Sequence, residues 1–152
     1  MDIKAFKQVL KLVQKSEKAK HPRFKFFRYS TWFKADQKHK TVKDVVDHPC
    51  GTAGCLGGWG TLLELAKTKA GLDMTLNPWG SCSLPNGCNS SDFAAQFYDI
   101  NSADAEYLFY GHWHKVFYFA PTADVITKLK NIIETGKVEN PEFDAQFLAH
   151  AK

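Results

Sequence analysis

The sequence lacks any apolar run close to the roughly 20 residues that a membrane-spanning helix requires. Its first residues, Met-Asp-Ile-Lys-Ala-Phe-Lys, also lack the apolar core of a secretory signal. We therefore expect a cytoplasmic protein with no membrane partner. Because thiols usually stay reduced in that compartment, the four cysteines do not imply two disulfides.

Two catalytic signatures are missing as well. The glycines do not form the Gly-x-x-x-x-Gly-Lys-Ser/Thr loop that cradles phosphates, and no pair of carboxylates stands out for acid–base chemistry. These absences favour a binding protein over an enzyme.

Aromatic residues are the surplus of this chain. It has 152 residues, the size of one ordinary domain, and 14% of them are Phe, Tyr or Trp. Aromatic side chains bury large areas, so most of them are expected in the core, although some can serve as stacking platforms for bases or flat ligands. We predict a single domain over residues 1–152.

Apolar periodicity and capping residues predict a mainly α fold, one compact helical domain of five to six helices. The helices are expected over 2–18, 52–70, 92–98, 103–110 and 123–135, with shorter ones from Thr41 to Asp47 and after Asn140. Asp2, Thr52, Ser91, Asn101 or Ser102, and Thr122 are the expected N-caps, and Gly71 and Gly136 the expected stops. The aromatic stretch 23–34 is expected to be a short β-hairpin or an extended segment, and 116–119 a short extended piece.

Residues 50–60 form the most unusual segment, because they contain five of the ten glycines and two of the four cysteines. Glycine inside a helix is unfavourable by up to about 1 kcal/mol relative to alanine, so a packing or binding purpose is expected. Small residues let another helix approach closely, whereas an open first turn would receive a ligand. The candidate ligand-binding residues are Cys50, Gly51, Thr52, Cys55, Gly58, Trp59, Trp32, His112 and His114.

A catalytic thiol is the alternative to a binding site. A cysteine near a helix N-terminus can have a lowered pKa and act as a nucleophile. Cys50 and Cys55 occupy such positions, and His48 is the nearest base in the sequence. The chain carries no local signature of a known cysteine hydrolase, so we assign no catalytic residue.

We expect no cofactor, and a zinc ion is the alternative. Its ligands would be Cys50, Cys55, Cys82 and Cys88, with a histidine able to replace a cysteine. The gaps of four and five residues within each half are wider than those of the familiar zinc knuckle.

The segment Gly111-His112-Trp113-His114 follows a predicted helix end. Two histidines at i and i+2 of an extended chain point to the same side, which suits a metal or a phosphate. The competing interpretation is a pair of surface histidines that flank a buried Trp113.

The basic residues are concentrated near the beginning of the chain. Residues 1–43 contain thirteen Lys and Arg against three Asp and Glu, and the basic residues of 15–43 alternate with aromatics. Such a mixture can meet a phosphate backbone and stack on bases, or simply form a solvated basic face. Nucleic acid is thus one possible partner, through residues 15–43.

The segment Cys50-Gly51-Thr52-Ala53-Gly54-Cys55 with Gly58 and Trp59 resembles the Cys-Gly-Thr-x-x-Cys-x-x-Gly motif of small uncharacterised proteins from bacteriophages and bacteria. Residues 97–109, which end in Leu-Phe, and residues 132–136 are similar to later helices of that family, and residues 29–33 fit its aromatic segment. The resemblance covers roughly residues 29–136. The segment 72–91, with Cys82 and Cys88, departs from it.

The resemblance implies no known activity, but it implies a phage-encoded accessory protein that acts in the host cytoplasm. Together with the residues themselves, it leads us to expect a non-enzymatic protein that binds a host protein, a nucleotide-like ligand or nucleic acid. The alternative is a thiol- or metal-dependent enzyme that uses Cys50 or Cys55 with a histidine.

Overall fold

A computed structural model of the chain describes residues 1–19, 33–35, 38–48, 53–77, 90–116 and 120–148. Within these ranges the protein is mainly helical, as the sequence predicts. The helices are α1 (Ile3–Lys18), α2 (Val42–Asp47), α3 (Leu56–Leu65), α4 (Lys69–Leu72), α5 (Ser90–Tyr98), α6 (Ser102–Phe109), α7 (Thr122–Thr135) and α8 (Pro141–Leu148). The strands β1 (Phe33–Lys34) and β2 (Ala53–Gly54) form an antiparallel pair.

Several helix ends lie where the capping residues predict them. The Asp2 carboxylate accepts hydrogen bonds from the backbone N–H groups of Lys4 and Ala5, which begins α1. Thr41 and Asp44 form a reciprocal capping box at the start of α2. Gly136 ends α7 in the left-handed conformation, with φ of 69°, as expected of a glycine stop.

The predicted helix over 52–70 is wrong at both ends. It begins later because Ala53 and Gly54 pair with β1, and Cys55 rather than Thr52 is the N-cap of α3. It also ends earlier, at Leu65, and the chain then turns into α4. Gly71 lies inside α4 and is no stop: a Cβ there would lie 1.9 Å from the backbone oxygen of Leu65, so the close approach of two backbones requires glycine.

Three smaller expectations also need correction. Ser91 lies inside α5, which begins at Ser90, and is not its N-cap. Thr122 is the first residue of α7 rather than its cap, and Pro121 occupies the cap position without a side-chain hydrogen bond. The strand pair is not a tight hairpin, since α2 lies between β1 and β2 in the chain. The eight helices of the described residues are close to the predicted five to six, and division of the predicted 52–70 helix accounts for one of the additional helices. Most of 23–34, and residues 117–119, lie outside the described residues.

Helix α3 lies at the centre of the hydrophobic core. It packs mainly against α5, while α1 packs against α7 and α5. The largest fully buried side chains of the described residues include Trp59, Trp113, Tyr98, Phe6 and Phe109. Aromatic residues thus supply much of the core, as their abundance predicts.

Within the described ranges, none of the helices combines the length and the apolar character that crossing a lipid bilayer demands.

Candidate functional site

The cysteine–glycine segment is a packing element where the structure describes it. Every residue of α3 from Leu56 to Leu62 is buried, including Gly58 and Trp59. A Cβ added to Gly60 would lie 2.7 Å from Cε2 of Tyr98 and 3.5 Å from the Cβ of Ala94, both on α5. Of the two purposes that the sequence leaves open, close approach of another helix is the one found at Gly60.

Tyr98 also stabilises the contact between α3 and α5. Its ring is fully buried against Phe6, Phe97 and Phe109, at centroid distances of 4.8–5.6 Å. Its hydroxyl donates a 2.7 Å hydrogen bond to the backbone carbonyl of Leu56, in the first turn of α3. Gly60 therefore makes room for Tyr98, and the Tyr98 hydroxyl also satisfies the Leu56 carbonyl of α3.

The buried environment of Cys55 makes its thiol unreactive. It is 3% exposed, and its sulfur accepts a hydrogen bond from the N–H of Gly58 at 3.5 Å. Burial raises the pKa of the Cys55 thiol to about 11, more than the neighbouring N–H groups lower it. At neutral pH this thiol is protonated, so its position before a helix does not make it a nucleophile.

The other members of the predicted thiol, ligand and zinc sites lie largely outside the described residues. These are Cys50, Gly51, Thr52, Trp32, Cys82 and Cys88. Among the residues that the structure does describe, no three His, Cys, Asp or Glu side chains lie together as metal ligands would. His48, the proposed base, is exposed at the end of α2. The assignments to these residues stay predictions.

His112 and His114 do not share one side of an extended chain. They lie in a turn, where His112 is exposed and His114 is only 3% exposed. Trp113 between them is fully buried, as the competing interpretation predicts, and its ring meets that of Phe147 edge-on at 5.0 Å. That interpretation is wrong about His114, which is not a surface residue. The paired-histidine site is therefore not formed in this arrangement.

Both ring nitrogens of His114 are already occupied. Nδ1 accepts a hydrogen bond from the N–H of Val116 at 3.1 Å, and Nε2 lies 2.8 Å from a carboxylate oxygen of Asp124. Since the backbone N–H is a donor, Nδ1 carries no proton, and Nε2 is the nitrogen that donates to Asp124. His114 joins the turn to the first turn of α7 and has no free lone pair for a metal.

A row of lysines follows the outer face of α1. Its members, Lys4, Lys7, Lys11, Lys15 and Lys18, are all exposed. With 3.6 residues per turn they fall within an arc of about 80°, directly opposite the buried residues, and extend over about 21 Å. We call these five residues the α1 lysine row.

The α1 lysine row is free of ion pairs within the part of the chain that the structure describes. Glu17, the one acidic residue between Ile3 and Lys18, lies about 120° away from the centre of the row around the helix. After residue 43 the balance is opposite, with seven Lys and Arg against thirteen Asp and Glu. The positive charge is therefore concentrated in residues 1–43, which include the row, although the net charge is only +4.

The sequence predicts a basic surface over 15–43, and most of these residues lie outside the described ranges. The row overlaps that region only at Lys15 and Lys18. The signal for the whole row was present in the sequence, because Lys4, Lys7, Lys11 and Lys15 have the spacing of one helix face.

A second charged cluster is buried, and sequence reasoning missed it. Lys128 on α7 and Asp144 on α8 are both 0% exposed, and the Lys128 ammonium donates to Asp144 at 2.5 Å and to the carbonyl of Val138 at 2.6 Å. The hydroxyl of Tyr107 donates to the other carboxylate oxygen of Asp144 at 2.7 Å, as does the N–H of Asn140 at 3.1 Å. We call Lys128, Asp144 and Tyr107 the buried charge cluster.

Burial shifts the pKa values of two members of the buried charge cluster. Burial lowers the pKa of Lys128 more than the contact with Asp144 raises it. Burial also raises the pKa of Tyr107, and its hydrogen bond to Asp144 raises it further. No sequence pattern predicts this contact, because the residues are far apart in the chain and each one is typical of a helix surface. Its position between α6, α7 and α8 makes it part of the scaffold.

Comparison of the chain with protein-family models, with curated proteins and with solved structures finds no match in any of the three.

Proposed function

We propose that the chain is a non-enzymatic accessory protein, of the phage-encoded kind that its cysteine motif resembles, and that its partner is nucleic acid. The α1 lysine row carries the proposal. Five exposed ammonium groups without ion pairs among the described residues form one continuous face on a helix whose other side is anchored in the core. Phe6, Val9 and Val13 hold that helix in place, so the row is presented on a fixed support.

Nucleic acid is the polyanion that such a row suits best. Lysines that contact phosphates release condensed counterions, which favours binding strongly at low salt and weakly at high salt. If all five lysines contact phosphates of a duplex, log K should fall with log salt concentration with a slope of up to about −4.5. A host protein with an acidic surface is the competing partner.

The thiol alternative receives less support from the described residues, since Cys55 is buried and protonated at neutral pH. Native and urea-unfolded protein labelled with iodoacetamide at pH 8, and mapped by tandem mass spectrometry, would separate Cys50 from Cys55. We expect Cys55 to react only after unfolding. Rapid native labelling of Cys50, together with turnover of a substrate, would favour the enzyme.

The proposal is tested by fluorescence anisotropy with a labelled 30-base-pair DNA duplex, a DNA strand and an RNA strand, each titrated between 50 and about 300 mM salt. The test variant is Lys7→Gln with Lys11→Gln, in which glutamine preserves helix propensity. The matched control is Lys69→Gln with Lys137→Gln, because both are exposed lysines away from α1 and remove the same charge. Circular dichroism verifies that both variants fold.

We expect the α1 variant to lower affinity by at least tenfold at low salt and to reduce the duplex salt slope by about 1.8, with a much smaller loss in the control. Equal losses in the two variants would mean that net charge, not the row, is responsible. Poly-glutamate that binds as tightly as DNA would overturn nucleic acid in favour of an acidic protein partner. Absence of binding to every probe at 50 mM salt would overturn the proposal itself.

A further inference from the structure

We infer that α1 follows the phosphate backbone along one strand and binds nucleic acid without reading its base sequence. This inference rests on the proposed function and specifies how the α1 lysine row would meet its ligand. It depends on the width, the composition and the length of the row.

The row is too narrow for a helix that enters a groove. A helix in the major groove has a phosphate strand on each side, so cations on both flanks of its outer face favour its binding. In α1 the arc of about 80° that holds the lysines is bordered by Gln14 on one side and Gln8 on the other. Beyond them lie the half-buried side chains of Leu10 and Leu12, which pack against the core. One line of cations matches one line of phosphates.

The chemistry of the row also favours phosphate over base edges. Lysine carries a compact charge on a flexible stem, whereas arginine presents the planar fork that suits bidentate contacts. Helix α1 contains no arginine and no asparagine, and its two glutamines, Gln8 and Gln14, lie at the edges of the row rather than within it. Phosphate contacts position a protein on nucleic acid and carry no sequence information.

The length of the row agrees with this geometry. It extends over about 21 Å, and a stacked strand presents one phosphate per roughly 3.4 Å of axis, so the row faces about six phosphates with five ammonium groups. Full engagement of a single strand would give a salt slope of up to about −3.5, since each phosphate contact contributes roughly −0.7. This slope is the quantitative signature of the inference.

The experiment uses the whole chain with three single strands of equal length. One has mixed sequence, one is a permutation of it, and one is an abasic strand that keeps the sugar–phosphate backbone without bases. Affinities are measured by competition against a labelled strand, for the unaltered protein and for the Lys7→Gln, Lys11→Gln variant. We expect the three affinities to agree within threefold, and the variant to lose affinity and about 1.4 units of salt slope on all three strands alike.

A preference of more than tenfold between the two sequences, or a tenfold loss on the abasic strand, would overturn the inference, because the bases would then be read or stacked. The proposed function would survive that result as long as the variant still binds more weakly than the unaltered protein. If none of the strands binds, the inference fails, and the proposed function fails with it only if the 30-base-pair duplex is not bound either.

Discussion

Lysine occupies two opposite environments in this protein. Lys128 is fully buried, and its ammonium group is held by the Asp144 carboxylate and the Val138 carbonyl. The lysines of the α1 row are exposed and form no ion pair within the described residues. The same side chain therefore stabilises the packing of helices in one place and leaves its charge available in the other.

The difference follows from desolvation. A buried charge loses its hydration, so it is tolerated only with a close partner, and its removal or that of its partner disturbs the fold. An exposed charge keeps its water and contributes little to stability. We therefore expect substitutions in the buried charge cluster to change the free energy of unfolding, and those in the α1 lysine row to change binding alone.

The largest effect is expected for Asp144→Asn. The substitution removes the negative partner of Lys128 and leaves a charge buried against a neutral amide. Breaking a buried ion pair in this way destabilises by about 3–5 kcal/mol. Urea unfolding monitored by circular dichroism measures the loss, and hydrogen exchange should show α8 released first, because Asp144 joins it to α6 and α7.

The control for this prediction neutralises both partners. Lys128→Met combined with Asp144→Asn has no uncompensated charge, so we expect it to recover a large part of the lost stability. A single Asp144→Asn variant that loses less than about 1 kcal/mol would show that Lys128 and Asp144 are not held as a charged pair. The contrast between a structural buried lysine and the exposed lysines of α1 would then be wrong for Lys128.

The helices could be predicted from the sequence far better than their contacts. Caps such as Asp2, Asn101 and Gly136 act locally, through hydrogen bonds within a few residues or a single backbone conformation, and a sequence reader sees them directly. The end of the α3 region could not be predicted in the same way. Gly71 has the composition of a stop signal, but its role comes from the backbone of Leu65, which folding brings against it.

The candidate site shows the same division. The spacing of the α1 lysines is a property of one helix and is visible in the sequence. The contact between Lys128 and Asp144 depends on how two helices pack, and it has no local signature. His114 is a further case, because its burial is decided by Asp124 and Phe147 rather than by the Gly-His-Trp-His segment itself.

A smaller loss is expected for Tyr107→Phe. The ring stays, but the hydroxyl that donates to Asp144 is removed. A hydrogen bond to a charged group contributes about 1.5–3 kcal/mol, and because Tyr107 is partly exposed we expect the lower part of this range, about 1.5–2 kcal/mol. Urea unfolding at pH 7 checks it.

The Tyr107→Phe difference should depend on pH in the alkaline range. Burial and the bond to Asp144 raise the pKa of Tyr107 in the folded protein, so the folded state keeps a proton that the unfolded chain loses above about pH 10. The contribution of Tyr107 is therefore fully present below pH 10 and declines as pH rises beyond it. The lowered pKa of Lys128 makes the stability rise with alkaline pH instead. Because Lys128 is present in both proteins, this effect cancels when their unfolding free energies are subtracted.

The measurement is the difference in unfolding free energy between the unaltered protein and Tyr107→Phe at intervals from pH 7 to pH 11. We expect a constant difference up to about pH 9 and a decline above about pH 10. A difference that grows with alkaline pH would contradict the environment assigned to Tyr107, because it would mean that the phenolate is favoured in the folded state.

The smallest effect on stability is expected in the α1 lysine row. Lys7→Gln with Lys11→Gln removes two exposed charges that hold no partner among the described residues, and glutamine is nearly as good a helix former. The change in unfolding free energy should stay within about 0.5 kcal/mol, as is usual for surface positions. At low salt we expect it to be slightly favourable, since neighbouring lysines on one helix face repel each other by about 0.2–0.5 kcal/mol per pair. A loss above 1.5 kcal/mol, about the value of one buried hydrogen bond, would mean that the lysines of the row contribute to the stability of the fold. A weaker affinity of this variant would then no longer identify the row as the binding surface.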